Sequence, residues 1–282
     1  MEIDAFFAQY PLFTTEELDR FLAAKRTENA APARLAQARK ALLSYHKKAG
    51  HVLLVRRGLY ATVPAHRTPA QQPVDSFLIA SRLTPDAVIA YHGALALHGL
   101  AHSLREEIVV LSDQSFVNPL RFRGTLYRAV PPPRELPVSD ALTLGIETWD
   151  RQGLSVRVTD LERTLVDCLD RPMLSGGWEE VWHSLEGLDA YLNLERLLEY
   201  TLKLRTATTA AKVGYFLSQH QERLRVPEGA LERLRAHRPK RAHYVLRDRI
   251  VGQVPGRAKF IPEWNLMVPT LFGEEAYEEI LV

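Results

Sequence analysis

The first 67 residues combine a helical pattern with a concentration of positive charge, and this combination constrains the fold more than any other feature of the chain. Residues 20–67 contain one acid, Glu28, and eleven basic residues: Arg20, Lys25, Arg26, Arg34, Arg39, Lys40, Lys47, Lys48, Arg56, Arg57 and Arg67. The 282 residues together have a formal net charge of only +2, so the remainder is mildly acidic. A small basic unit on a non-basic body is the electrostatic pattern of a nucleic-acid-binding head.

Length and composition place the chain among ordinary globular proteins. With 282 residues, 46% hydrophobic and 25% charged, it can form two domains or one large one. The single cysteine, Cys168, excludes an internal disulfide framework and a cysteine-based zinc site. The acidic start Met1–Asp4 and the lack of any run of about 20 apolar residues predict neither a signal peptide nor a membrane span. We therefore expect a cytoplasmic protein.

Three helices are predicted in the basic segment. The first covers about residues 4–9, and the second follows a capping box formed by Thr14 and Glu17 and runs to about Ala24. The third extends from Pro32 to Gly50, which suit the first turn and the end of a helix. On a helical wheel its core stripe contains Leu35, Ala38, Leu42, His46 and Ala49, and its outer face contains Ala33, Gln37, Lys40, Ser44, Lys47 and Lys48.

A β-hairpin is predicted directly after the third helix. Two apolar runs between His51 and Pro64 meet at a short turn that contains Arg56, Arg57 and Gly58. The order helix–helix–helix–hairpin is that of a winged helix, with both arginines at the tip of the wing. Small residues and an amide on the third helix suit the major groove, and cations suit phosphate. The predicted DNA-binding residues are Arg34, Gln37, Lys40, Ser44, Lys47, Lys48, Arg56 and Arg57.

The rest of the chain predicts a separate mixed domain. A polar, proline-punctuated connector at 67–73 divides residues 1–67 from residues 74–282. Strands are predicted at 107–111, 126–127 and 153–158, and further helices at about 177–186, 193–204, 207–220 and 228–236. A helix at 161–169 is predicted to begin with a second capping box, Thr159-Asp160-Leu161-Glu162. Residues 243–268 return to strand-like character. The predicted fold class is α+β: an N-terminal winged helix-turn-helix followed by a mixed α/β domain whose second half is mostly helical.

Sequence motifs typical of catalytic or cofactor-binding sites are weak or missing in residues 74–282, which we call the body. His92, His98 and His102 lack a further ligand, and Asp167 is better explained by a salt bridge with Arg163 than by a catalytic dyad. No P-loop, no nucleophile elbow and no Glu-x-Lys nuclease pattern occurs. No catalytic residue, cofactor or metal ligand is therefore predicted. A second basic region, residues 233–249, is either a solvated surface or a further contact with an acidic partner.

Three stretches resemble the AbiEi-type antitoxins, which are transcriptional regulators of type IV toxin–antitoxin and phage-defence operons. The first is Arg56-Arg57-Gly58-Leu59-Tyr60 after a helix that ends in Lys-Ala-Gly, and the second is Ala94-Leu95-Ala96-Leu97-His98-Gly99-Leu100. The third and most specific is Val158-Thr159-Asp160-Leu161-Glu162-Arg163-Thr164-Leu165-Val166-Asp167. The match spans about residues 14–190 in order and spacing.

The resemblance implies a winged-helix domain that binds operator repeats in double-stranded DNA upstream of its own operon. It also implies a C-terminal domain that opposes a nucleotidyltransferase-like toxin without a stable direct complex. Two other classes stay open: a nucleic-acid-processing enzyme with a metal-dependent site in the C-terminal domain, and a protein-interaction adaptor whose basic head docks on an acidic partner.

Overall fold

The N-terminal unit contains three helices and a three-stranded sheet in the computed structural model, which describes residues 2–24, 32–114, 118–188, 192–245 and 258–269. Its elements are α1 (Glu2–Gln9), β1 (Leu12–Thr14), α2 (Thr15–Ala24), α3 (Pro32–Lys48), β2 (Val52–Arg56) and β3 (Leu59–Thr62). The sheet order is β1-β3-β2, and both pairings are antiparallel. Strand β1 was not predicted, because three residues are too few to show the alternation of a strand.

Local signals in the sequence set the ends of these elements. The predicted capping box is confirmed: the Thr14 N–H donates to Glu17 Oε2 at 2.7 Å, and the Glu17 N–H donates to Thr14 Oγ1 at 3.2 Å. The hairpin turn is also confirmed, with Gly58 at a φ of +85°, which a residue with a side chain rarely adopts. The predicted turn at 25–30 lies outside the described residues.

An aromatic core lies between the helices of this unit and one face of its sheet. It contains the buried side chains Phe6, Phe7, Phe13, Leu18, Leu43 and Val52. The predicted core stripe of α3 is correct for His46, which is buried, and wrong for Ala49, which is exposed. The reason is that α3 ends at Lys48, so Ala49 no longer follows the helical repeat, and Leu43 contributes to the core.

A six-stranded mixed sheet forms the centre of the body, with strand order β6-β7-β5-β4-β9-β8. Its strands are β4 (Val88–Ile89), β5 (Glu107–Leu111), β6 (Leu120–Phe122), β7 (Thr125–Val130), β8 (Ile146–Arg151) and β9 (Leu154–Thr159). Helix α4 (Ser76–Ser81) precedes β4, α5 (Tyr91–Leu97) connects β4 to β5, and α6 (Val138–Ala141) lies between β7 and β8. The predicted strand 107–111 has the bounds of β5, whereas β8 was not predicted, since it is half-exposed and lacks an apolar face.

The second half of the body is mostly helical, as predicted. It contains α7 (Leu161–Asp170), a 3-10 turn (Pro172–Ser175), α8 (Trp178–Glu186), α9 (Leu194–Lys203), α10 (Ala207–Gln219) and α11 (Glu228–Arg235). A buried apolar cluster joins these helices. Short strands β10 (His243–Tyr244), β11 (Ala258–Ile261) and β12 (Leu266–Pro269) form a third sheet in order β10-β12-β11. Within the predicted strand-like region 243–268, residues 246–257 lie outside the described residues.

The N-terminal unit and the body share a core across the connector at 67–73. Leu12, Leu59 and Ala61 belong to one buried cluster together with Leu78 and Ile79 of α4. This means that one face of the β1-β3-β2 sheet covers the aromatic core of the N-terminal unit and the other packs on the body. The connector marks a change of element order, but the apolar packing continues through it.

Candidate nucleic-acid interface

Helix α3 presents one broad exposed face, and the residues predicted for that face lie on it. Ala33, Arg34, Gln37, Lys40, Ser44, Lys47 and Lys48 are all exposed. The opposite side is fixed by burial of Leu43 and His46 and by an ion pair from Arg39 to Asp19 of α2. The helix is therefore anchored along one side and open along the other.

The exposed face of α3 carries positive charge without nearby acids in sequence. No Asp or Glu occurs between residues 32 and 74. Within the described part of the chain, Arg34, Lys40, Lys47 and Lys48 form no ion pair. Lys47 and Lys48 also sit in the last turn of α3, where a cation is favoured by the helix dipole. Four uncompensated cations on one anchored helix form a surface suited to a polyanion.

The two arginines of the hairpin turn point in different directions, which corrects the prediction that both lie free at its tip. Arg57 is exposed. Arg56 is half-buried: its Nη2 donates to the carbonyl oxygens of Leu83 at 2.6 Å and Arg82 at 3.2 Å, at the end of α4. Burial lowers the pKa of the Arg56 guanidinium. Arg57 is thus available to an external partner, whereas Arg56 is engaged with the body.

An imidazole pair lies beneath the exposed face of α3. The Nδ1 atoms of His46 and His51 are 3.2 Å apart, and the His51 N–H donates to the His46 carbonyl oxygen at 2.9 Å. The His46 ring also contacts Phe7 of α1 edge-on, at 4.9 Å between centroids. Burial, followed by the proximity of His51, lowers the pKa of His46. The pair ties the C-terminal end of α3 to the start of β2.

Tyr45 is an exposed residue of α3 that is not among the predicted DNA-binding residues. Its side chain is 65% exposed, although tyrosine usually buries much of its ring. On the helical wheel it falls beside the predicted outer face, next to Ala41 and Lys48. The only sequence signal was an aromatic residue outside the core stripe of a basic helix.

The second basic region is partly neutralised by acids of the body. Arg233 contacts Glu195 at 2.8 Å, and Arg235 contacts both Glu228 at 3.0 Å and Glu263 at 2.5 Å. Arg238 donates to the carbonyl oxygen of Glu263. Arg247 and Arg249 lie outside the described residues. These contacts favour the interpretation of this segment as a solvated, ion-paired surface.

The Glu162-Arg163-Thr164 stretch and Asp167 form a buried polar network. Arg163 Nε lies 3.3 Å from Asp167 Oδ2, and its Nη2 donates to the Ala141 carbonyl oxygen at 2.8 Å. Asp160 caps α7 by accepting from the Arg163 N–H at 2.7 Å, and Glu162 accepts from the Asn193 N–H rather than completing a capping box. The predicted salt bridge is confirmed, and the predicted capping box at this helix is wrong.

Burial determines the acid–base properties of Asp167. Its side chain is 2% exposed, and this burial raises the pKa of Asp167 to about 6, even though the Arg163 guanidinium acts in the opposite direction. The neighbouring carboxylate Asp170 adds to the increase. Asp167 lines a very small cavity of about 10 Å³ together with Arg163 and Tyr200.

The three clustered histidines have separate partners. His92 Nε2 lies 3.2 Å from Glu180 Oε1, His98 Nε2 lies 2.8 Å from the Thr159 carbonyl oxygen, and the His102 ring packs on His183. In the described ranges, no three His, Cys, Asp or Glu side chains are arranged to hold a metal ion. A cavity of about 520 Å³ lies beside the C-terminal end of α7; Asp170, Arg171, Lys212, His243 and Tyr244 are among its lining residues.

Comparison with known proteins identifies a similar fold. No protein-family model and no curated protein matches the chain. Among solved structures, the Rv2827c protein from Mycobacterium tuberculosis is similar with a TM-score of 0.56 and 17% identity, over 95% of this chain and 90% of that one. None of the helices in the described ranges is both long and apolar enough to cross a bilayer. The chain is therefore similar to Rv2827c in its fold, over nearly the full length of both proteins.

Proposed function

We propose that this protein is a DNA-binding transcriptional repressor whose N-terminal unit is a winged helix. The order α1-β1-α2-α3-β2-β3, with a three-stranded sheet closed by the β2–β3 hairpin, supports this proposal. In such a unit α3 enters the major groove, and the hairpin lies beside it as the wing. The observation that carries the proposal is the anchored face of α3, which contains no acid and whose four cations form no ion pair with the residues that the structure describes.

Each exposed residue has a role set by its chemistry. Gln37 is the base reader, because an amide can donate to and accept from an adenine edge. Lys40, Lys47, Lys48 and Arg57 neutralise phosphates, and Arg34 serves either purpose. Ala33 and Ser44 are small, so they allow the helix to approach the base edges closely. Arg56 has a different role: it holds the wing against the body through the carbonyl groups of Arg82 and Leu83.

We extend the proposal to an antitoxin that represses its own operon and opposes a nucleotidyltransferase-like toxin without a stable complex. The support is the resemblance of residues 94–100 and 158–167 to AbiEi-type antitoxins. Residues 158–167 form buried contacts that stabilise the fold, so their similarity to the family is explained by a shared fold of this domain. The enzyme alternative is less favoured, because Asp167 is buried and pairs with Arg163.

The DNA-binding proposal is tested by fluorescence anisotropy with duplex DNA from upstream of the gene, measured across a range of salt concentrations. Removing two phosphate contacts in Lys47→Ala/Lys48→Ala should weaken binding on every sequence and reduce the salt slope by about 2. Gln37→Ala should weaken binding to the operator more than to unrelated DNA.

A matched control comes from the body. Arg134→Ala/Lys259→Ala also removes two exposed cations, and it should leave both affinity and salt slope unchanged. If the two double variants behave alike, binding is non-specific attraction to a basic protein and the assignment of α3 fails. Salt-insensitive binding to an acidic protein would instead support the adaptor alternative.

The antitoxin part has its own experiment. A nucleotidyltransferase-like protein encoded beside this gene should arrest growth when expressed alone, and co-expression of this chain should restore growth. The Lys47→Ala/Lys48→Ala variant should lose repression of the operon and still restore growth, because the two activities lie in different parts of the chain. Absence of rescue by the wild type contradicts the antitoxin assignment and leaves the DNA-binding assignment intact.

A further inference from the structure

Tyr45 lies on the exposed side of α3 and contacts one aromatic ring of the N-terminal unit. Its ring packs edge-on against the His46 ring, with centroids 5.0 Å apart and an interplanar angle of 88°. His46 is itself buried between Phe7 and His51. The ring that Tyr45 packs against therefore belongs to the core of the N-terminal unit, while Tyr45 itself remains 65% exposed.

The hydroxyl of Tyr45 is unused within the described part of the chain, where no hydrogen bond joins it to another residue. Leaving a tyrosine ring in water has no benefit for folding, because the exposed apolar surface is not removed from solvent. An aromatic ring with a free hydroxyl is, in contrast, well suited to an interface, since little side-chain entropy is lost when it binds.

The charges around Tyr45 identify the kind of partner. Lys48 follows three residues later and Ala41 precedes it by four, so both are neighbours on the helix surface. No acid occurs in α3 or in the hairpin that follows. A protein partner that covered this face would need a concentration of acids, whereas a phosphate backbone supplies regularly spaced negative charge along the length of a helix.

We propose that Tyr45 is a backbone contact of the DNA interface, whose phenol hydroxyl donates a hydrogen bond to a phosphate oxygen beside the phosphate bound by Lys48. The inference rests on the proposed DNA-binding function and adds a residue and a chemical role to the same surface. His46 acts as a positioning residue, because its ring sets where the phenol points.

The experiment compares Tyr45→Phe, Tyr45→Ala and Lys48→Ala with the wild type in the same salt titration. Tyr45→Phe removes the hydroxyl alone and should weaken binding roughly 10- to 100-fold, the effect of losing a hydrogen bond to a charged group. Tyr45→Ala should weaken it further. Neither variant removes a cation, so the salt slope should stay unchanged, whereas Lys48→Ala should lower it by about 1.

The control is Tyr244→Phe, which removes the hydroxyl of a tyrosine that is 49% exposed in the body and should leave binding unaltered. Circular dichroism and thermal unfolding establish that each variant is folded. If the wild type binds DNA and Tyr45→Phe binds equally well, the Tyr45 assignment is overturned and the proposed function survives. If the wild type binds no DNA, the proposed function itself fails. A dimer that dissociates in Tyr45→Ala would show that a second copy covers this ring, which also overturns the assignment.

Discussion

Arg56 Nη2 lies 2.6 Å from the carbonyl oxygen of Leu83, so the hairpin of the N-terminal unit is hydrogen-bonded to the end of a helix in the body. An ion pair also joins the N-terminal unit to the body: Arg82 Nε lies 3.3 Å from Glu17 Oε1. Together with the shared apolar core, these contacts fix the direction in which α3 faces. The adjacent arginines Arg56 and Arg57 thereby differ in their surroundings: Arg56 contacts the body, and Arg57 is exposed.

We expect Arg56→Ala and Arg57→Ala to separate stability from DNA binding. Arg56→Ala should lower the free energy of unfolding by about 1.5–3 kcal/mol, because it removes hydrogen bonds made by a charged donor, and should leave the salt slope unchanged. Arg57→Ala should change stability by less than about 0.5 kcal/mol and reduce the salt slope by about 1. Urea denaturation and anisotropy titrations measure the two effects; identical behaviour of the variants would contradict the structure.

A second prediction concerns the packing of the C-terminal hairpin. A Cβ at Gly214 of α10 would lie 2.1 Å from Cζ3 of Trp264, whose side chain is fully buried. Gly214→Ala should therefore force the indole out of position and destabilise the protein by about 1–3 kcal/mol. Gly229→Ala in α11 is the matched control, because among the described residues no atom outside its own helical turn lies within 4 Å of the Cβ position. It should be neutral or stabilising by up to about 1 kcal/mol.

Asp167 should contribute to the free energy of unfolding by an amount that decreases as the pH rises. The pKa of Asp167 is raised in the folded protein from 3.8 to about 6, so between these values the folded state retains a proton that the unfolded chain has lost. Its contribution is fully present below pH 3.8 and is lost as the pH rises through about 6. Urea denaturation between pH 4 and 7 should show the difference between wild type and Asp167→Asn shifting in favour of the variant as pH rises. A difference that is constant with pH would disprove the assignment.

The contribution of His46 to stability should instead increase as the pH rises. Burial lowers the pKa of His46 from 6.5, so the unfolded chain takes up a proton at a higher pH than the folded protein. The stability provided by the neutral ring is present above pH 6.5 and is lost as the pH falls through the folded pKa. His46→Phe keeps an aromatic ring and removes the titration, so its stability relative to wild type should rise as the pH is lowered from 7 to 5. If both proteins lose stability equally, His46 is not the titrating group.

The sequence by itself determined the elements and the distribution of charge. The start of α2 followed from Thr14 with Glu17, and the hairpin turn followed from Gly58, because caps and turns depend on residues a few positions apart. The exposed face of α3 followed from helical periodicity, and its acid-free character from composition alone. Strand β1 was missed because its partner β3 lies about 50 residues away in sequence.

Only the tertiary structure decided how neighbouring side chains differ. Arg56 and Arg57 are adjacent and chemically identical, and the carbonyl groups of Arg82 and Leu83 separate their roles. The exposure of Tyr45 depends on where α3 packs, and the raised pKa of Asp167 depends on its burial among helices distant in sequence. The burial of a side chain, the direction in which it points and its pKa arise from contacts between residues far apart in the chain. Local sequence patterns do not encode these contacts.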